Sequence, residues 1–429
     1  MSPENISPAF DRRAFLRTSA LVGLSIPMAG LLASCAAPGG GGGGSGSVTM
    51  WSWNALEGEQ HKYFLDIADV WEGEAEGNTF KYTFLDYGTI FTKYKTALAG
   101  GSPPEIIGLE DSGVLVDMVE SSALEPLNSL VAELPALHKG TMDYIGFDGE
   151  AYMVPISLAA LGLNFNKTMF EDFGIAYPTT LQELIDAAAE FKAGGVEGIG
   201  AGFQDGQFVS AGIFMSCMAN LDGIDDLLVQ AKAGEPVWDD PRWLEGAKYL
   251  EAMAKGNVFS PGSAASTTRD QIAQWASGKV AMLWPATTWM WGLISETLND
   301  AFPVEIGVFP PKDGGVGRAV GGQSTSFGVA PGSDVDAAKA YLKQIYSPEG
   351  TELLVASNTI PALAEFELPA ELPHPMFGAH VEQMKTAVQR NVLDKGWNEV
   401  ILEMVSGVLF RGNTAEELAE AIKTRSGTI

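Results

Sequence analysis

Trp284, Trp289 and Trp291 put three of the chain's ten tryptophans within eight residues. An indole offers a broad apolar face and one N–H donor, which suits stacking on a ligand and equally suits a protein core. Further aromatics expected at loop mouths are Trp53, Tyr87 and Phe208. Asn54, Glu57, Asp86, Asp111, Gln204, Asp205 and Gln323 stand near them in the sequence as polar partners. Carboxylates and amides of this kind accept and donate in pairs. Patterns for catalysis are not found. His61, His138, His374 and His380 are far apart and in no metal-ligand spacing. Gly322-Gln323-Ser324-Thr325-Ser326 fails the nucleophile-elbow pattern at its last position. Gly278-Lys279 lacks the upstream glycine of a phosphate loop, and Gly198-Ile199-Gly200-Ala201-Gly202 lacks the last spacing of a dinucleotide loop. No enzyme, metal or cofactor is therefore expected, although a carboxylate pair for glycoside hydrolysis stays open among 54 acidic residues.

These residues need elements to position them. Gly278-Lys279 reads as a turn and Val280 to Trp284 as a strand that Pro285 stops. Thr287 or Thr288 then caps a helix through Trp291 and Ile294. Upstream, Val48–Trp53, Thr79–Leu85 and Glu105–Leu109 read as strands. Helices at Glu59–Glu72, Ile90–Ala99 and from Ser112 alternate with them. That order predicts an α/β fold with a parallel sheet, helices on its faces, and ligand-facing loops after each strand. Phe147 to Tyr152 reads as a hairpin with an Asp-Gly turn, and Thr180–Glu183 as a capping box opening a helix to Lys192.

The N-terminus predicts export. Arg12-Arg13 followed by Phe15-Leu16, then the apolar run Ala20–Ala33, reads as a twin-arginine type signal peptide over 1–34. Leu32-Ala33-Ser34-Cys35 resembles the lipobox of bacterial lipoproteins, which marks Cys35 for lipidation. Residues 35–47 form a Gly/Ser tether of about 20 Å. Cys217 would be the one thiol left, expected in the core. The formal charge is −28, and −29 without residues 1–34, which carry Arg12, Arg13 and Arg17 against Glu4 and Asp11. This argues against nucleic acid and against docking on anionic lipid.

A run of landmarks carries a family resemblance: Gly149-Glu150-Ala151-Tyr152-Met153-Val154-Pro155, Leu163-Asn164-Phe165-Asn166-Lys167, and Pro178 to Leu184. Gly278-Lys279-Val280-Ala281-Met282, Gly321-Gly322 with Phe327–Ala330, and Ala337–Leu342 with Ser347–Gly350 continue it. In this order they resemble the family 1 extracellular solute-binding proteins, the sugar-binding subunits of ABC importers related to maltose-binding protein. One departure is Leu181-Gln182, where the family usually has Trp before the acidic residue.

The resemblance implies two α/β lobes around an interlobe cleft, lobe 1 from 48–157 and 284–345, lobe 2 from 158–283 and 346–429. Crossovers are then expected near Ser157–Leu163, Pro310–Gly321 and Ile345–Pro348. It implies a monomeric, lipid-anchored receptor on the extracytoplasmic face of the cell membrane. That receptor passes a carbohydrate to ABC permease subunits. The expected ligand contacts are Trp53, Asn54, Glu57, Tyr87, Asp111, Phe208, Trp284, Trp289 and Gln323, with Trp291 further into the helix and closer to core. Two alternatives stay open: the same fold binding a polyamine or another small polar solute, and a surface-anchored glycoside hydrolase.

Overall fold

The computed structural model describes residues 46–53, 62–109, 112–138, 141, 146–147, 149–389 and 395–425. Cys35 and the signal segment lie outside them. The strands in chain order are β1 (Ser47–Ser52), β2 (Thr79–Phe84), β3 (Ile106–Leu109), β4 (Gly146–Phe147), β5 (Glu150–Ala151), β6 (Val154–Pro155) and β7 (Ser157–Asn166). They continue with β8 (Glu197–Gly200), β9 (Val280–Ala286), β10 (Val304–Gly307), β11 (Val320–Gln323), β12 (Ser326–Val329), β13 (Ile360–Pro361) and β14 (Val388–Gln389).

Two main sheets result. The first has the order β2-β1-β3-β12-β6, with β1, β2 and β3 parallel and β12 antiparallel to β3. Its faces alternate as a strand period of two requires. Val48 and Met50 of β1 enter the core under the helices Tyr63–Glu74 and Val335–Gln344, while Trp51 and Trp53 pack with Tyr94, Leu115 and Met118 on the other side. The second sheet has the order β14-β11-β7-β9-β8, with β10 and β13 also on β7. All ten residues of β7 are buried, as expected of a strand covered on both faces. Phe165, Phe214, Trp243, Trp284 and Trp397 belong to the core on one of its sides.

Local signals hold where a short-range bond carries them. Thr180 accepts from the Glu183 N–H at 3.1 Å and Glu183 reciprocates, capping the helix Leu181–Ala193. β4 and β5 pair as the expected hairpin, with Gly149 at φ +84° in its turn. Pro285 does not stop β9. Asn164 and Gly162 of β7 face Leu283 and Ala286 of β9, so β9 carries one extra residue there. Pro285 falls in this bulge, where no ladder N–H is required of it.

The first expected crossover abuts the observed passage, and the other two are displaced. The chain leaves β6 and enters β7 through Ile156, and leaves β11 for β12 through Ser324-Thr325. These two passages are stitched together: Ile156 N–H donates to Thr325 O at 2.7 Å and Ser324 N–H to Ser157 O at 2.8 Å. Thr325 N–H also donates to Ser157 Oγ at 3.1 Å. The third passage follows the helix Pro348–Ala356, whose Leu354 packs in the first-sheet core, and ends at β13 beside Ser157. Strands in 284–323, expected in lobe 1, therefore pair with the second sheet, and 346–356, expected in lobe 2, packs with the first. The reason is packing. A Cβ on Gly321 would lie 2.8 Å from Met384 Sδ and 2.9 Å from Ala159 O, so that glycine serves close strand contact rather than a crossing. Pro310 is likewise tied to the second-sheet core, its carbonyl accepting from Tyr249 Oη at 2.8 Å.

Candidate functional site

The two sheets aim their strand ends at one place. β12 begins at Ser326 opposite Leu109, so the passage Ser324-Thr325 lies at the carboxyl ends of the parallel strands of the first sheet. β9 runs antiparallel to β7, and its end, Ala286, faces Gly162, toward the crossing end of β7. β8 runs parallel to β9 and ends the same way. The carboxyl ends of β1 and β3 thus adjoin the passage Ser324-Thr325, and β8 and β9 run toward the crossing end of β7, the topological position where open α/β sheets take ligands.

Three expected residues meet one another. Phe208, on the helix Gln207–Met218, has its ring 6.0 Å from that of Trp284 and 5.9 Å from that of Trp289. Their exposures differ. Phe208 and Trp289 are half-buried, while Trp284 is 0% exposed. The Trp284 indole lies against Gly212, where a Cβ would stand 2.5 Å from its ring. Trp284, expected at the ligand, lies buried behind Phe208, because its position within β9 turns the ring into the helix-covered core. Trp291 is 8% exposed and stacks on His374, in line with its expected core role.

Gln323 closes β11 at the second passage and is 6% exposed. Its Nε2 donates to Ser326 Oγ, while its Oε1 is buried with no protein partner. A buried acceptor of this kind is costly unless water or a ligand group donates to it. Trp53 is half-buried at the end of β1, edge-on to Phe91 at 5.9 Å, with its ring close over Gly108 of β3. Asn54, Glu57 and Asp111 lie outside the described residues, as does the side chain of Tyr87, which opens the helix Tyr87–Ala99. Asp205 is committed to structure: its carboxylate accepts from Thr268 N–H at 2.7 Å, at the start of another helix.

Sequence reading missed Ser157 and Thr325, which tie the passages together 168 residues apart. No local pattern marks such a pair. It also gave His374 no role. Among the described residues, no group of three or more His, Cys, Asp or Glu is placed to hold a metal, and no helix is long and apolar enough to cross a membrane.

Two sheets joined by adjacent passages, with strand ends converging on them, define a two-lobe binding protein of the periplasmic type. The family model for bacterial extracellular solute-binding proteins matches residues 54–352, and the chain belongs to that family. A binding protein of Brucella abortus (strain 2308) is 26% identical over 227 residues, 52% of this chain and 53% of that one. The diacetylchitobiose binding protein NgcE of Streptomyces coelicolor is 24% identical over 235 residues, 48% of this chain and 49% of that one. The chain thus spans about half the length of the curated relatives it matches. The GacH receptor of Streptomyces glaucescens, solved without ligand and with acarbose, superposes with a TM-score of 0.71 at 21% identity, covering 89% of this chain and 97% of that one.

Proposed function

We propose that this solute-binding protein captures a carbohydrate between its lobes and passes it to an ABC permease, breaking no bond itself. The observation that carries the reading is the half-buried pair Phe208 and Trp289 at converging strand ends. The unpartnered Oε1 of Gln323 lies at the adjoining passage. Aromatic faces take the C–H face of a sugar ring, and a buried amide oxygen takes a hydroxyl. NgcE and GacH, named for diacetylchitobiose and solved with acarbose, lend this support by similarity. In this reading Trp53, Asn54, Glu57, Tyr87 and Asp111 supply the first-sheet side of the cleft. Trp284 acts only through Phe208.

The lobes divide with the sheets, and the passages at Ile156, Ser324-Thr325 and 357–359 take up the change on closure, which ligand binding favours by shifting the open–closed equilibrium. Cys35 carries the lipid, and the tether to Ser47 keeps a monomeric receptor at the membrane. A thermal-shift panel of mature protein with N,N′-diacetylchitobiose, maltotriose, raffinose and spermidine tests the ligand class. Stabilisation by an oligosaccharide supports the reading. A shift by spermidine alone overturns it in favour of a polyamine receptor, and release of monosaccharide from any of the sugars favours a hydrolase.

A further inference from the structure

The helix Phe377–Met384 lies across β7 on the side away from Phe214 and Trp243. Met384 stands against Gly321, the partner of Ala160, and Gln383 stands against Gly162. Met376 packs against the cluster that holds Leu283, the partner of Asn164. The helix therefore runs antiparallel to β7. Both amide atoms of Asn164 are buried without a protein partner, as is Nε2 of His374.

His374 and His380 are 4% and 0% exposed, with ring centroids 6.2 Å apart. His374 stacks nearly parallel on Trp291, centroids 4.6 Å apart at 19°, and its Nδ1 accepts the Met376 N–H at 3.1 Å. Trp291 opens the helix Trp291–Leu298 and directly follows the short turn Thr288–Met290 that carries Trp289. One buried imidazole thus bears on the element presenting the candidate ligand-stacking ring.

Burial disfavours an imidazolium here. It pushes His374 down to about 3, with the neighbouring His380 adding to the effect. His380 goes to about 4, slightly offset by Gln383, which lies near but outside normal hydrogen-bond geometry. The charged groups on the packed elements, Glu296, Glu305, Glu371, Glu382 and Lys385, are all exposed. His374 packs against Trp291, Phe377 and His380, and His380 stands near Gln383.

We propose that the His374–His380 pair is an acid-sensitive clamp for the ligand site: neutral, it holds Trp291 and with it the turn bearing Trp289, and charged, it releases them. The coupling to ligand rests on the reading of Trp289 as a ligand contact, but the clamp itself is testable without ligand. Because both folded-state values lie below that of a free imidazole, the unfolded chain binds protons that the folded chain refuses. Stability attributable to the pair is full above about pH 6.5 and falls as pH drops toward 4 and then 3, where the folded protein takes up the protons.

The test follows the imidazole signals of mature protein by NMR from pH 7 to 4, with near-ultraviolet circular dichroism reporting the stacked indole. The clamp predicts that His374 and His380 stay neutral at pH 5 and that the indole band is lost near pH 4. In His374→Gln/His380→Gln the band is weaker at neutral pH. Proton uptake on unfolding at pH 5 then falls by about two, one for each imidazole removed. Should the double variant not fold, the wild-type titration decides alone. Either imidazole titrating near 6.5 overturns the clamp, as does an unchanged proton uptake. If the clamp titrates as predicted while Trp289→Ala still binds sugar normally, only the ligand-site reading fails.

Discussion

Four residues separate Trp284 from Trp289, and the strand end between them gives the rings different work. Trp284 is still in β9 and packs on Gly212, so its loss opens a core cavity. Trp284→Ala should cost about 3–5 kcal/mol of stability in urea unfolding. Trp289 has left the strand and is half-buried beside Phe208. Trp289→Ala should cost about 1 kcal/mol or less of stability and weaken sugar binding by roughly 10- to 100-fold, about 1.4–2.7 kcal/mol. A sequence lists these tryptophans as equals. What separates them is the register of β9 on β7 and the helix over it, contacts made by residues more than seventy positions away.

At the scale of elements, signals confined to a few residues were legible. The capping box at Thr180–Glu183 and the β4–β5 hairpin are each closed by bonds between near neighbours. The α/β alternation from β1 to β3 was legible too, because each strand and helix announces its own period. Of the passages between sheets, only the first was, beside Ser157. Gly321-Gly322 looks like hinge material, yet a Cβ on Gly321 would press on Met384 and on the Ala159 carbonyl. Gly321→Ala should therefore destabilise by about 1–3 kcal/mol through overpacking, without the change in ligand affinity expected of a hinge variant. Ser157 does sit at a passage. Ser157→Ala leaves the Thr325 N–H without its Oγ acceptor, a cost of about 1–3 kcal/mol measurable by denaturant unfolding. In the proposed reading it also shifts the open–closed balance, so affinity and stability should change together.

For the whole molecule, the acidic balance of 54 acidic residues against 26 basic ones keeps the chain soluble and says little of the ligand. The site instead follows from topology. Two sheets meet at the stitched passages, where Gln323 ends β11, and in the proposed reading Trp289 and Phe208 join it to form the ligand site. Sequence order predicted loops at strand ends, but the pairing of β7 with both β9 and β11 joins segments too far apart in sequence to be read there. The most direct test is isothermal titration of mature wild-type protein and of Trp289→Ala with the oligosaccharide that stabilises the wild type in the thermal-shift panel. The account predicts one site per chain and at least a tenfold weaker affinity in the variant, with its fold retained. Equal affinity in the two proteins would contradict it.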